Sequence, residues 1–125
     1  MSRILLDTDV LIDVLRARHV TQAFLLDLTR EATPCGSVVT VAELYAGMRE
    51  SERGATAALI ESLVILPVTR QIAETAGELR RSIRRSAATI ADCLIAATGI
   101  VEAMPVATGN VKRFRLPGVT VVPAP

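Results

Sequence analysis

Three carboxylates in this chain stand where an apolar run stops or an apolar helix begins. Ile4-Leu5-Leu6 runs into Asp7, Val38-Val39-Thr40-Val41-Ala42 into Glu43, and Thr89-Ile90-Ala91 into Asp92. In a parallel α/β sheet such places converge on one crevice at the carboxyl edge of the strands, so acids far apart in sequence become neighbours in space. Like charges gathered at short range repel unless a cation sits among them. Oxygen-only ligands favour a hard ion such as Mg²⁺ or Mn²⁺. The pattern points to a metal-dependent enzyme.

Each acid also has a plainer explanation. Asp7 is placed to cap the helix that follows it, although a cap has no need of a buried strand end. Asp9 is either a supporting acid or the cap itself. Glu43 lies three residues after Thr40, the spacing of a capping box. Asp92 is flanked by Ala91, Cys93, Leu94 and Ile95, where an uncompensated charge is costly. His19 is the only histidine, which removes a histidine-based zinc site and disfavours histidine-driven chemistry. Cys35 and Cys93 lack metal-type spacing and read as small buried hydrophobes.

The formal net charge is +1, which argues against a nucleic-acid partner until the distribution is considered. Thirteen of the fourteen basic residues are Arg, and Arg80, Arg81, Arg84 and Arg85 fall within six positions. On a helix Arg80 and Arg84 share one face and Arg81 and Arg85 the next, a geometry suited to phosphate. A solvated face paired with Glu74 and Glu78 explains the same run equally well. The aromatic residues are only Phe24, Tyr45 and Phe114, so base stacking is a minor source of recognition.

These residues need a frame to position them, and 125 residues with half of them apolar suffice for one domain with its own core. Strands are expected at 3–7, 36–40, 64–68, 105–107 and 119–122. Helices are expected at 10–18, 21–30, 41–49, 52–63, 70–85 (capped by Thr69) and 91–101. Thr33-Pro34-Cys35-Gly36 reads as a break. Strands alternating with helices imply right-handed crossovers and a parallel, doubly wound α/β sheet of about five strands with helices on both faces. No apolar run is long enough to span a bilayer, and the start lacks a secretion signal, so a cytoplasmic protein is expected. Tyr45 to Met48 with Leu59, Ile60 and Leu63 offer more apolar surface than one sheet needs, which suggests a homodimer.

Four segments taken in order resemble the PIN-domain ribonucleases, specifically the VapC-type toxins of bacterial toxin–antitoxin pairs. They are Leu5-Leu6-Asp7-Thr8-Asp9-Val10-Leu11-Ile12-Asp13, Val41-Ala42-Glu43-Leu44-Tyr45-Ala46-Gly47, Asp92-Cys93-Leu94-Ile95-Ala96-Ala97-Thr98 and Thr108-Gly109-Asn110-Val111-Lys112-Arg113-Phe114. The resemblance covers essentially the whole chain. It implies a single PIN-like domain whose Asp7, Glu43 and Asp92 hold Mg²⁺ or Mn²⁺ for RNA hydrolysis. It places Asn110 where many PIN domains carry a fourth acid, so one negative charge is missing and a second ion is less firmly held. Thr8 and Thr108 match positions whose hydroxyls orient the carboxylates, and Asp9 replaces the usual Asn or Ser. It further implies an RNA substrate, a VapB-like antitoxin that lies across the groove, and pairing about a two-fold axis. Two alternatives use the same residues. Asp7-Thr8-Asp9 would serve a haloacid-dehalogenase-type phosphatase, but no later Lys with an acid pair follows. A phosphoacceptor receiver-like module would need an acid ending the third strand, and Val64 to Val68 ends without one.

Overall fold

A computed structural model describes residues 2–83 and 87–125. In chain order these form β1 (Ser2–Leu6), α1 (Thr8–Leu15), α2 (His19–Thr29), β2 (Ala32–Ser37), α3 (Val38–Gly47), a 3-10 turn (Glu50–Glu52), α4 (Arg53–Glu61), β3 (Val64–Leu66), α5 (Arg70–Ser82), α6 (Ile90–Val101), β4 (Val106–Thr108), a second 3-10 turn (Val111–Phe114) and β5 (Val121–Pro123). The described strands make one all-parallel sheet in the order β3-β2-β1-β4-β5. The chain winds outward from β1 on one side, then returns to lay β4 and β5 on the other. The reversal falls between β1 and β4, where a doubly wound sheet opens its crevice.

Side chains alternate across a strand, and β1 shows this directly. Leu5 enters a core with Ile72, Ala76 and Leu79 of α5 and Ile95, Ala96 and Ala97 of α6. Ile4 and Leu6 enter a second core with Leu11 of α1 and Leu44 of α3, against Phe24 and Leu28 of α2 and Leu59 of α4. Each face of the sheet therefore has its own helical layer. Every residue of α6 from Cys93 to Gly99 except Leu94 is buried, as its apolar sequence requires. A methyl group on Gly99 would lie 3.0 Å from the Met104 carbonyl oxygen and 3.0 Å from a Val106 methyl, so glycine is what lets α6 pack this closely on the chain entering β4.

The largest departure from the sequence-based expectation concerns β2. It occupies Ala32–Ser37 rather than 36–40, so Thr33-Pro34-Cys35-Gly36 is strand and not a break. Proline is tolerated because β3 pairs only with Cys35, Gly36 and Ser37, leaving Pro34 a neighbour on the β1 side alone. The β-branched run Val38-Val39-Thr40-Val41 forms the first turn of α3, which Ser37 caps by accepting the Val39 N–H at 3.0 Å. Thr69 does cap α5, accepting the Ile72 N–H at 3.2 Å. That helix ends at Ser82, where Ile83 turns to extended backbone, short of the expected 85. Leu59, Ile60 and Leu63 pack into the core, contrary to their expected role as surplus surface. No helix among the described residues is long and apolar enough to cross a membrane.

Candidate metal centre

Asp7 is the residue after β1 and the N-cap of α1, so strand end and helix cap coincide in one side chain. Its backbone N–H donates to the Ala107 carbonyl oxygen at 2.9 Å, which fixes β1 against β4 at the crevice. Both carboxylate oxygens are held. Oδ1 accepts the Thr8 backbone N–H at 2.8 Å, and Oδ2 accepts the Thr108 hydroxyl at 2.8 Å. Thr108 in turn accepts the Asn110 backbone N–H at 2.9 Å. The turn after β4 thus sets the orientation of an acid after β1.

Only 4% of Asp7 is exposed. Burial pushes its carboxyl up to about 6, opposed by the Thr108 hydroxyl and the Thr8 N–H and reinforced by the negative charges of Asp9 and Asp92. Asp92 is therefore close enough for its charge to be felt at Asp7.

Asp92 is the third residue of α6 and forms a reciprocal capping box with Thr89. Its Oδ2 accepts the Thr89 N–H at 2.9 Å, and the Thr89 hydroxyl oxygen accepts the Asp92 N–H at 3.1 Å. The capping box that the sequence suggests at Thr40 and Glu43 lies here instead. It orients Asp92 and leaves Oδ1 without a hydrogen-bond partner among the described residues.

Glu43 sits in the interior of α3 and is exposed. Its Oε1 accepts the Thr8 hydroxyl at 2.7 Å, and Thr8 lies 3.0 Å from the Thr40 hydroxyl. Thr8 has one proton, which goes to the carboxylate, so Thr40 donates to Thr8. Thr40, 1% exposed, is absent from the sequence-based site. Its signal is the three-residue spacing to Glu43, which puts both on one helix face once α3 starts at Val38.

Asp9 is exposed in the first turn of α1. With Asn110, Asp13 and Arg18 it lines a shallow cleft of about 260 Å³. Arg18 is paired there with Asp13 at 2.8 Å. Beside Glu43 opens a mostly apolar cavity of about 100 Å³, lined by Ile12, Leu15, Leu44 and Met48. Within the arginine run, Arg81 pairs with Glu78 at 3.1 Å, as the solvated-face explanation requires. Arg80 donates to the Ile83 carbonyl oxygen at 2.8 Å, and Arg84 and Arg85 lie outside the described residues. His19 is exposed, and Cys35 and Cys93 are buried free thiols.

Among the described residues no three His, Cys, Asp or Glu side chains stand close enough to form a metal cage as arranged. The donor chemistry nevertheless suits a hard cation. The oxygens of Asp7 are fixed, one oxygen each of Asp92 and Glu43 is uncommitted, and a carboxyl raised by burial, and further by the charges of Asp9 and Asp92, gives an anion that a cation would relieve.

Residues 4–117 match the PIN domain family. The chain belongs to that family. Among its relatives is the ribonuclease VapC10 of Mycobacterium tuberculosis, 41% identical over 113 residues that span 89% of this chain and 85% of that protein. Among solved structures, a toxin–antitoxin complex from Klebsiella pneumoniae superposes with a TM-score of 0.81 at 26% identity, over 95% of each chain. VapBC2 from Rickettsia felis, bound to a DNA fragment from its promoter, has the same fold, with a TM-score of 0.81 over 98% of each chain at 22% identity. Family membership removes the phosphatase and receiver alternatives for this PIN domain.

Proposed function

We propose that this PIN-domain chain is the toxin of a toxin–antitoxin pair, an endoribonuclease that hydrolyses RNA phosphodiesters with Mg²⁺ or Mn²⁺ held by Asp7, Glu43 and Asp92, and by Asn110 through water. The observation that carries the site assignment is the treatment of Asp7. A carboxylate is buried at the point where the strand order reverses, with both oxygens held by donors and with other acids near enough to disfavour its charge. A purely structural cap needs no such neighbours.

The bound ion would lower the charge on the scissile phosphate and make a water a better nucleophile. The chain's own part is orientation. Thr108 and the Thr8 N–H hold Asp7, the Thr8 hydroxyl holds Glu43, and the Thr89 N–H holds Asp92. Partners of this kind fix ligand direction and tune affinity. Single-stranded or looped RNA suits the site because its backbone can enter a narrow crevice, and the cytoplasm is the compartment that supplies it.

A VapB-like antitoxin would cover the crevice, with the apolar cavity beside Glu43 receiving part of it. Val38 and Tyr45 on α3, both about 40% exposed, support a homodimer through that helix. The deciding experiment is cleavage of single-stranded RNA by the purified chain. We expect cleavage with Mg²⁺ or Mn²⁺, none in EDTA, and loss of cleavage in Asp92→Asn. Parental cleavage by Asp92→Asn would remove that residue from the site.

A further inference from the structure

An acid-lined crevice repels the polyanion it is meant to cut, so cations must stand close beside it. Most basic side chains cannot serve. Arg3, Arg16, Arg18, Arg30, Arg53, Arg70 and Arg81 each have an acidic partner within 4 Å. Arg80 is turned onto the Ile83 carbonyl oxygen. Among the described residues, Arg49, Lys112, Arg113 and Arg115 form no ion pair; Arg49 stands alone next to Glu50 and three residues from Glu52, whereas Lys112, Arg113 and Arg115 are crowded into four consecutive positions and form no side-chain hydrogen bond.

Their placement follows from the turn that carries them. Val111–Phe114 is a 3-10 turn in which residues three apart lie on the same side. Phe114 is fully buried and Leu116 is 6% exposed, anchoring the turn in the core shared with α6. That fixes the phase, so Lys112 and Arg115 both face solvent, with Arg113 half-buried between them. The turn begins directly after Asn110, whose N–H holds Thr108, which holds Asp7. The cations are thus attached to the segment that orients the innermost carboxylate. No exposed aromatic residue accompanies them, so the surface suits a phosphate backbone rather than stacked bases.

We infer that the solvent face of this turn, Lys112 and Arg115 with Arg113 beside them, binds phosphates of the RNA strand next to the scissile bond. The inference rests on the ribonuclease reading above and names the groups that seat its substrate.

The test is binding of a fluorescein-labelled single-stranded RNA in EDTA, at several salt concentrations, by the parent and by Lys112→Gln/Arg115→Gln. Each phosphate contact on a single strand contributes about 0.7 to the slope of log Kd against log salt. The double variant should bind several-fold more weakly at low salt, with a slope smaller by about 1.4. Arg30→Gln/Arg70→Gln changes the net charge equally on other surfaces and should leave the slope alone. An unchanged slope for the first variant, or an equal fall for the second, overturns the inference. So does weakened binding of the antitoxin with RNA binding intact, which would assign the turn to the protein partner. A parent that binds RNA with the expected slope difference but cuts none overturns the ribonuclease reading and leaves the phosphate site standing.

Discussion

The two walls of the crevice hold their carboxylates in opposite ways. On the β1 side Asp7 is almost fully buried, with both oxygens engaged and its carboxyl raised to about 6. On the α3 side Glu43 is exposed and held through one oxygen by the Thr8 hydroxyl. The two meet at Thr8, whose N–H serves one acid and whose hydroxyl serves the other. On the proposed metal reading, the buried wall would supply a fixed ligand that is disfavoured electrostatically without a cation, and the exposed wall an adjustable one. The proposed division would separate what each acid contributes to a bound metal from what it contributes to stability.

The largest consequence falls on Asp7. Asp7→Asn removes the charge at the fixed position, and RNA cleavage should fall by about a thousandfold or more, roughly 4 kcal/mol of transition-state stabilisation. Stability should move the other way. A carboxyl raised from 3.8 to about 6 on folding binds protons more tightly in the native state, so it lowers stability as pH rises from about 4 through 6. The penalty at neutral pH is about 3 kcal/mol at 1.36 kcal/mol per pH unit. In EDTA at pH 7.5, Asp7→Asn should melt higher than the parent, and the decline of the parent's melting temperature across pH 4–6.5 should flatten. A variant that melts lower at pH 7.5 and keeps the parental pH dependence would mean that burial does not strain Asp7.

The place of Asp7 at the end of β1 is legible in sequence because an acid ending an apolar strand has few structural uses. Asp7, Asp92 and the β4 turn need only the order of strands and helices to be brought near one another. The α3 wall was harder to read. Thr33-Pro34 looks like punctuation and Val38-Val39-Thr40-Val41 like a strand, yet pairing with β1 and the Ser37 cap override both local preferences. That shift hides Thr40 behind an apparent capping box. Ion pairing is equally invisible in composition, so nothing in the sequence distinguishes Arg81, paired with Glu78, from the cations after Asn110 that form no ion pair among the described residues.

The next effect tests how Asp7 is held. Thr108→Val removes the hydroxyl that favours the charged form and leaves the Asn110 N–H without its acceptor. Metal affinity should fall about 10- to 100-fold, as for other groups that support metal ligands. The pH of half-maximal Mn²⁺ binding should move upward, because ionising Asp7 becomes harder. Thr108→Ser should restore both. An equal loss in Thr108→Ser, with no pH displacement, would leave Thr108 a packing role only.

The exposed wall should respond less. Thr8→Val keeps the shape of a buried side chain and the N–H that serves Asp7, and removes the donor to Glu43 together with the acceptor of the Thr40 hydroxyl. Mn²⁺ affinity should fall by about tenfold, the lower end of the range for such supports, with the pH of half-maximal binding unmoved. A pH displacement as large as that of Thr108→Val would erase the distinction between the walls.

The smallest effect belongs to Thr40, which reaches Glu43 only through Thr8. Its hydroxyl polarises that of Thr8, and such chains strengthen each bond by about 10–30%. Thr40→Val should therefore weaken Mn²⁺ binding by about twofold and cost about 1 kcal/mol of stability. The stronger test is the double variant. If Thr40 acts through Thr8 alone, Thr8→Val/Thr40→Val should bind Mn²⁺ no more weakly than Thr8→Val, because the relay is already cut. The coupling between the two positions should then equal the whole effect of Thr40→Val on metal affinity. Additive losses would show that Thr40 acts on Glu43 by another route, through the packing of α3, and the exposed wall would owe its geometry to the helix rather than to the hydroxyl pair.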